Sequence, residues 1–217
     1  MNKKELTRLI QKELDYLYPE TTIPLHHRNE FELLIAVILS AQSTDKKVNE
    51  LTPKLFKDGS TPEDLFRIGQ QEILNRIKQL GLANNKAKNV YLTSKRLIDD
   101  YNSNVPNNFQ DLESLPGVGH KTASVVMSQA FGFPAFPVDT HIHRLAQRWE
   151  LTSGINVVQT ERDLKKIFPK KSWNKLHLQI IFYGREFCTA KGCNGTKCRL
   201  CKKFFPNRTK SIIHRKA

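Results

Sequence analysis

Apolar positions recur at helical spacing along most of the chain. In the first segment Leu6, Leu9, Ile10, Leu14 and Leu17 share one face, and Tyr18-Pro19 closes it. Glu30 to Leu39 is apolar almost all round and reads as a buried helix. That helix breaks at Ser40-Ala41-Gln42-Ser43-Thr44, and the next runs from Asp45 to Phe56. Ser60-Thr61-Pro62-Glu63 supplies a cap, a proline at the first helical position and an acid in the first turn. Gln70 to Leu80 reads as a further helix stopped by Gly81. Lys86 to Tyr101 follows, with Ala87, Val90, Tyr91, Leu97, Ile98 and Tyr101 on its inner face. No period-2 strand, internal repeat or low-complexity linker interrupts the pattern. The predicted fold class is all-α.

The stretch LPGVGHKTASVVMSQAFG, Leu115 to Gly132, changes the picture from packing to chemistry. Asn107 or Asn108 caps a short helix that Pro116 ends. Gly117-Val118-Gly119 makes a tight turn in which Val118 can tuck between two helices. The second helix buries Ala123, Val126, Met127 and Ala130, at spacing i, i+3, i+4, i+7. A glycine turn ahead of a helix start binds phosphate well, because backbone N–H groups are unpaired there and the helix dipole is positive. Lys121 stands in that first turn, where the same dipole disfavours an ammonium and favours an amine nucleophile. Asp139 follows in PVDTHIHR as N-cap of a helix over Thr140–Trp149, a rigid seat for a carboxylate. Alone, Lys121 is an ordinary surface lysine and Asp139 an ordinary cap. Together with the hairpin they point to covalent chemistry on a nucleic acid.

Charge agrees. The 217 residues carry 35 Lys+Arg against 21 Asp+Glu, a formal charge of +14 and a pI near 9.7. Such a surplus is the electrostatic footprint of a protein that displaces counterions from a phosphate backbone. The longest apolar run, Leu33 to Leu39, is too short to span a bilayer, and the first twenty residues lack a secretory apolar core. A membrane partner is therefore not expected, and the cytoplasm is the expected compartment, nucleoid-associated in a bacterium. Four cysteines crowd into the stretch from Cys188 to Cys201; without an export signal, a metal site is favoured over disulfides.

LPGVGHKTASVV followed by VDTHIHRLAQRW closely resembles the helix–hairpin–helix DNA glycosylases, the endonuclease III family in particular. ELLIAVILSAQSTDKKVNELTPKLF (Glu32 to Phe56) and GLANNKAKNV (Gly81 to Val90) extend the resemblance over most of the chain. It implies two helical domains: a six-helix barrel with the helix–hairpin–helix over residues 22–132, and a cluster domain over 1–21 and 133–217. Duplex DNA bearing a damaged base or an abasic site would lie in the cleft between them, bound by a monomer. The reactive nucleotide must then leave the stack. Gln42 matches the residue that fills the gap left by the flipped nucleotide, and Leu82 the wedge against the opposite strand. Gly117, Val118 and Gly119 hold a backbone phosphate; Lys121 and Asp139 are catalytic. Glu113, just before the hairpin, is placed to touch the flipped base. The implied activity is that of a bifunctional glycosylase and AP lyase for oxidised pyrimidines.

Two other readings cover part of the same residues. Relatives that excise adenine opposite oxidised guanine usually lack a lysine here and carry a further C-terminal domain; Lys121 and an end at Ala217 point away from that branch. A non-enzymatic hairpin module explains the charge and glycines but not Asp139 or Gln42. In the cysteine loop, Lys197, Arg199, Lys202 and Lys203 are expected against the duplex backbone, with the residues after Pro206 a solvated basic tail.

Cys188, Cys193, Cys198 and Cys201 have spacing C-x4-C-x4-C-x2-C, whereas endonuclease III typically shows C-x6-C-x2-C-x5-C around a four-iron, four-sulfur cluster. With Cys198 and Cys201 aligned, Asn207 falls near the last family cysteine and Cys193 is an addition upstream. Four thiolates suit either occupant. Zinc usually draws on two CxxC knuckles and this loop has one, so the cluster is expected and zinc is the alternative.

Overall fold

The computed structural model describes residues 2–216. Among them every regular element is helical: α1 (Lys3–Leu17), α2 (Glu30–Ser40), α3 (Asp45–Leu55), α4 (Pro62–Ile77), α5 (Ala83–Tyr101), α6 (Phe109–Ser114), α7 (His120–Gln129), α8 (Thr140–Arg148), α9 (Val157–Ile167), α10 (Trp173–Glu186) and α11 (Arg199–Phe204), with a single 3-10 turn at Lys170–Ser172. The all-α reading holds. Among the described residues no helix is long and apolar enough to cross a membrane.

The chain divides into two compact units, Ile23–Phe133 and the segments on either side of it. In the first unit α2 is the core element. Every residue from Phe31 to Leu39 is buried, as its uniform apolarity demands. Even Glu32 is enclosed, its carboxylate accepting from the Arg28 backbone N–H at 2.7 Å and from Arg28 Nε at 2.8 Å. Leu51, Leu55, Leu65, Ile73, Val90 and Leu97 from α3, α4 and α5 pack into the same core.

Local caps set most boundaries. Thr61 accepts from Asp64 N while the Asp64 carboxylate accepts from Thr61 N, a reciprocal capping box that adds Asp64 to the cap expected from Ser60 to Glu63. Gly69, at φ +78°, breaks α4 into two helical halves, which explains why the pattern reads as two helices. The second half ends at Ile77, three residues before Leu80, and α5 begins earlier than its apolar stripe, at Ala83. Its start is set by Leu82 in the left-handed conformation, a backbone event with no periodic signature.

In the second unit α1, α8, α9, α10 and α11 enclose Ile10, Leu14, Leu145, Trp149, Leu164 and Tyr183. The Trp149 and Tyr183 rings lie 5.9 Å apart, and the four cysteines border the same core.

Candidate active site and metal centre

The hairpin between α6 and α7 is held from behind. Thr93 Oγ1 donates to the Pro116 carbonyl at 2.9 Å, and Arg96 Nη1 to the Ser114 carbonyl at 2.7 Å. Gly117 sits at φ +79°, and a Cβ there would fall 2.6 Å from Asn89 Nδ2, so only glycine fits. Gly119 is different: it is extended, with open space where a Cβ would be. No side chain caps α7, which leaves its N-terminal face clear for an anion. Val118 is buried between the helices. Lys121 is exposed in the first turn. Ala123, Val126 and Met127 are buried as expected, while Ala130 is half-buried at the helix end.

Beside Lys121 lies a contact the sequence did not announce. His120 Nδ1 is 2.8 Å from Glu113 Oε1, and the ring stacks on Phe109 at 5.8 Å. Phe109 in turn meets Phe133 edge-on at 5.7 Å. Glu113 is thus tied to the histidine rather than standing alone.

Gln42 and Leu82 belong to neighbouring loops of the same unit. Both adopt left-handed backbone, φ +53° and +60°, a conformation costly for non-glycine residues and common where a loop is built for a task. Gln42 is exposed and Leu82 is 52% exposed, unusual for leucine. A Cβ on Gly81 would sit 3.7 Å from the Gln42 carbonyl, so the two loops touch there. Lys86, only 3% exposed, reaches across and donates to Ser43 Oγ at 2.8 Å. Burial pulls its ammonium below the usual lysine range. Sequence reasoning missed Lys86 because nothing in KAKNV marks one lysine as enclosed.

In the other unit Asp139 caps α8, its Oδ1 accepting from Ile142 N at 2.8 Å, and is half-buried. Burial pulls the neighbouring His141 imidazole below its usual value, opposed by the charge of Asp139. One and two turns further along α8 come two buried arginines. Arg144 Nη2 donates to the carbonyls of Gly184 at 2.9 Å and Cys188 at 3.1 Å. Arg148 Nη1 donates to the Cys188 carbonyl at 3.1 Å, to Cys188 Sγ at 3.3 Å and to the Thr189 carbonyl at 2.8 Å. Helix α8 therefore carries the carboxylate at one end and the anchor of the cysteine loop at the other.

The four cysteines converge. All are buried, and their Sγ atoms lie within 4.8 Å of one another. Cys198 N donates to Cys193 Sγ at 3.3 Å, and Leu200 N to Tyr183 Oη at 3.0 Å. Hydrogen bonds from Cys188 and Cys201 push the Cys198 thiol below its usual value, and the same contacts push Cys188 and Cys201 up. Four buried thiols with arginine and amide donors around them suit a metal centre.

The basic residues of this loop do not behave alike. Arg199 Nη2 pairs with Glu13 Oε2 at 3.1 Å, and Lys203 pairs with the other oxygen of Glu13. Lys197 and Lys202 point to solvent. The tail after Pro206 is mostly exposed, Lys210, Arg215 and Lys216 included, as expected, but it is tethered at several points. Arg208 Nη1 donates to the Arg148 and Gly195 carbonyls at 2.6 and 3.0 Å, and its guanidinium lies 3.7 Å over the Phe205 ring. Further on, Ile212 N donates to the Asn194 carbonyl at 2.8 Å and Arg215 N to Gln147 Oε1 at 2.7 Å. The apolar and hydrogen-bonding partners that hold the tail lie far away in sequence.

Residues 35–170 match the model of the HhH-GPD superfamily base excision DNA repair proteins. Endonuclease III of Bacillus subtilis (strain 168) is 39% identical over 99% of this chain and 100% of its own length. Endonuclease III of Haemophilus influenzae is 43% identical over 88% of this chain and 90% of its own. The chain belongs to the endonuclease III family. A solved endonuclease III trapped as a covalent intermediate with DNA superposes with a TM-score of 0.86, at 41% identity, covering 94% of this chain and 99% of that one. Endonuclease III spacing of the cysteines does not carry over, yet the thiols gather all the same.

Proposed function

We propose that this chain is a DNA glycosylase and AP lyase of base excision repair, acting on oxidised pyrimidines in duplex DNA. The observation that carries this reading is an exposed lysine in the first turn of an uncapped helix behind a glycine hairpin. It stands in a chain 41% identical to an endonuclease III caught as a covalent DNA intermediate.

The neutral Lys121 amine attacks C1′ of the damaged nucleotide, the new N–C bond forms, and the bond to the base breaks. The departing base takes up a proton. The lysine nitrogen gives up a proton and the C1′–O4′ bond opens with a proton taken up by O4′, which leaves a protonated imine on C1′ that makes the C2′ hydrogen acidic; removal of that hydrogen drives β-elimination, which breaks the bond from C3′ to the 3′ phosphate oxygen. Water then releases the sugar remnant and restores the lysine. Asp139, as carboxylate, stabilises positive charge developing on the sugar and relays protons.

Gln42 fills the space vacated by the flipped nucleotide and Leu82 wedges the opposite strand, both held in position by strained, supported loops. Backbone N–H groups of the hairpin around Gly117 and Gly119 take a phosphate next to the reacting sugar, with Val118 packed behind them. Lys197 and Lys202, with Arg199, add sequence-independent phosphate contacts. The protein works as a monomer on this reading, with the cysteine centre structural.

Borohydride trapping on duplexes containing thymine glycol or an abasic site tests the reading. The wild-type chain is expected to form a covalent adduct and Lys121→Ala none. A wild type that never traps, or a Lys121→Ala variant that still does, overturns the lysine mechanism.

A further inference from the structure

The sulfur positions distinguish between the two occupants of the cysteine cage. All four Sγ atoms lie within 4.8 Å of one another, and Cys193 Sγ is 4.0 Å from Cys201 Sγ. One zinc ion with bonds of about 2.3 Å sets four sulfurs at the corners of a tetrahedron with edges of roughly 3.8 Å. A four-iron cube instead carries each thiolate outward from a different iron. With iron–sulfur bonds of similar length, those four sulfurs stand roughly 6–7 Å apart. The observed cage matches the ion and is too small for the cube. We propose that Cys188, Cys193, Cys198 and Cys201 hold a single zinc ion and no iron–sulfur cluster.

The surroundings resist the opening that a cube would need. The Cys188 carbonyl is held by both Arg144 and Arg148, and its sulfur by Arg148. Cys193 Sγ accepts from Cys198 N within the cage. Widening the cage would pull Cys188 off Arg148 and separate Cys193 from Cys198.

The chain beyond Cys201 also manages without a metal bond. Asn207, near the place of the family's last cysteine, faces solvent. Its neighbour Arg208 turns inward and ties the segment to the Gly195 and Arg148 carbonyls. An arginine clamp thus does on the downstream side what a fourth ligand there would do, and Cys193 completes the tetrahedron from upstream.

The full-length protein, purified anaerobically from cells supplied with both iron and zinc, decides the matter by metal analysis, acid-labile sulfide and visible absorption. It should be colourless, with about one zinc per chain and no sulfide. Exchange with cobalt(II) should give the visible bands of a tetrahedral tetrathiolate. Cys193→His should keep the cobalt bound with a spectrum shifted to three sulfurs and one nitrogen, a readout that survives even if Cys193→Ser fails to fold. Brown protein with about four irons and four sulfides per chain overturns the proposal. So does one iron without sulfide, a metal-free chain, or a cobalt spectrum unchanged by Cys193→His. None of these readouts depends on DNA cleavage, so the metal assignment and the lysine mechanism can fail separately.

Discussion

Arg148 donates through one nitrogen to both the carbonyl and the sulfur of Cys188, at 3.1 and 3.3 Å. The helix that Asp139 opens is therefore also the helix that grips the first cysteine. Its side chain is fully enclosed, and the Thr189 and Ala190 carbonyls rely on the same guanidinium. Arg148→Met should strand several buried acceptors and cost about 3 kcal/mol or more, with metal loss following. Urea denaturation alongside metal analysis checks both. A variant with unchanged midpoint and metal content would show that the arginine is dispensable.

Asp139 has a capping role and a proposed catalytic one, and substitution separates them. Asparagine caps a helix as well as aspartate, so Asp139→Asn should keep stability within a few tenths of a kcal/mol. Asp139→Ala should lose about 1 kcal/mol. Both should lose base excision by orders of magnitude if the carboxylate is needed. Thermal denaturation and single-turnover cleavage measure the two roles independently.

The two hairpin glycines should respond in opposite ways. Gly117→Ala forces a Cβ onto Asn89 at a positive φ, and should destabilise by about 1–3 kcal/mol. Gly119→Ala meets open space and an extended backbone, so stability should hold. Its methyl group would nevertheless stand where a phosphate is proposed to bind. DNA affinity should fall in Gly119→Ala without any change in melting temperature.

Lys86 is buried with a hydroxyl for partner and no carboxylate, and burial lowers its pKa from 10.5. The sign follows directly. A folded-state pKa below the unfolded value means that the folded state gives up its proton more readily. The protonation penalty is therefore fully present below the lowered folded pKa. It is relieved as pH rises towards 10.5, so stability should increase with pH across that window. Lys86→Met should flatten that rise and raise stability at neutral pH. It should also free Ser43 and loosen the Gln42 loop, read as weaker binding to lesion DNA.

The basic loop divides into paired and unpaired cations. Neutralising Lys197 and Lys202 should weaken binding to every duplex and lower the salt slope by about one unit per lost phosphate contact. Arg199 and Lys203 share Glu13, so Glu13→Gln should tighten DNA binding at low salt. An altered lesion preference in either set would mean that the loop reads bases.

What the sequence determined by itself was local. The Thr61 box, the Asn108 and Asp139 caps, the uniform burial of α2 and the glycine turn before Lys121 all depend on residues within a few positions of one another. Such features are encoded in spacing, and spacing is visible in one dimension. The family resemblance rested on those same short stretches. The tertiary structure alone decided the rest. It joined Glu13 to Arg199 and Lys203, turned Arg144 and Arg148 inward onto Cys188, enclosed Lys86 and folded the tail back through Arg208. Helix α10 opens with no side-chain cap and takes shape around Trp149 and Tyr183, whereas α9 opens on Asn156, whose side chain accepts from Gln159 N at 2.8 Å, a local signal like those before it. A charged side chain looks the same in sequence whether it faces water or a buried carbonyl. Which it meets depends on partners up to 190 positions away, brought close only when the core forms.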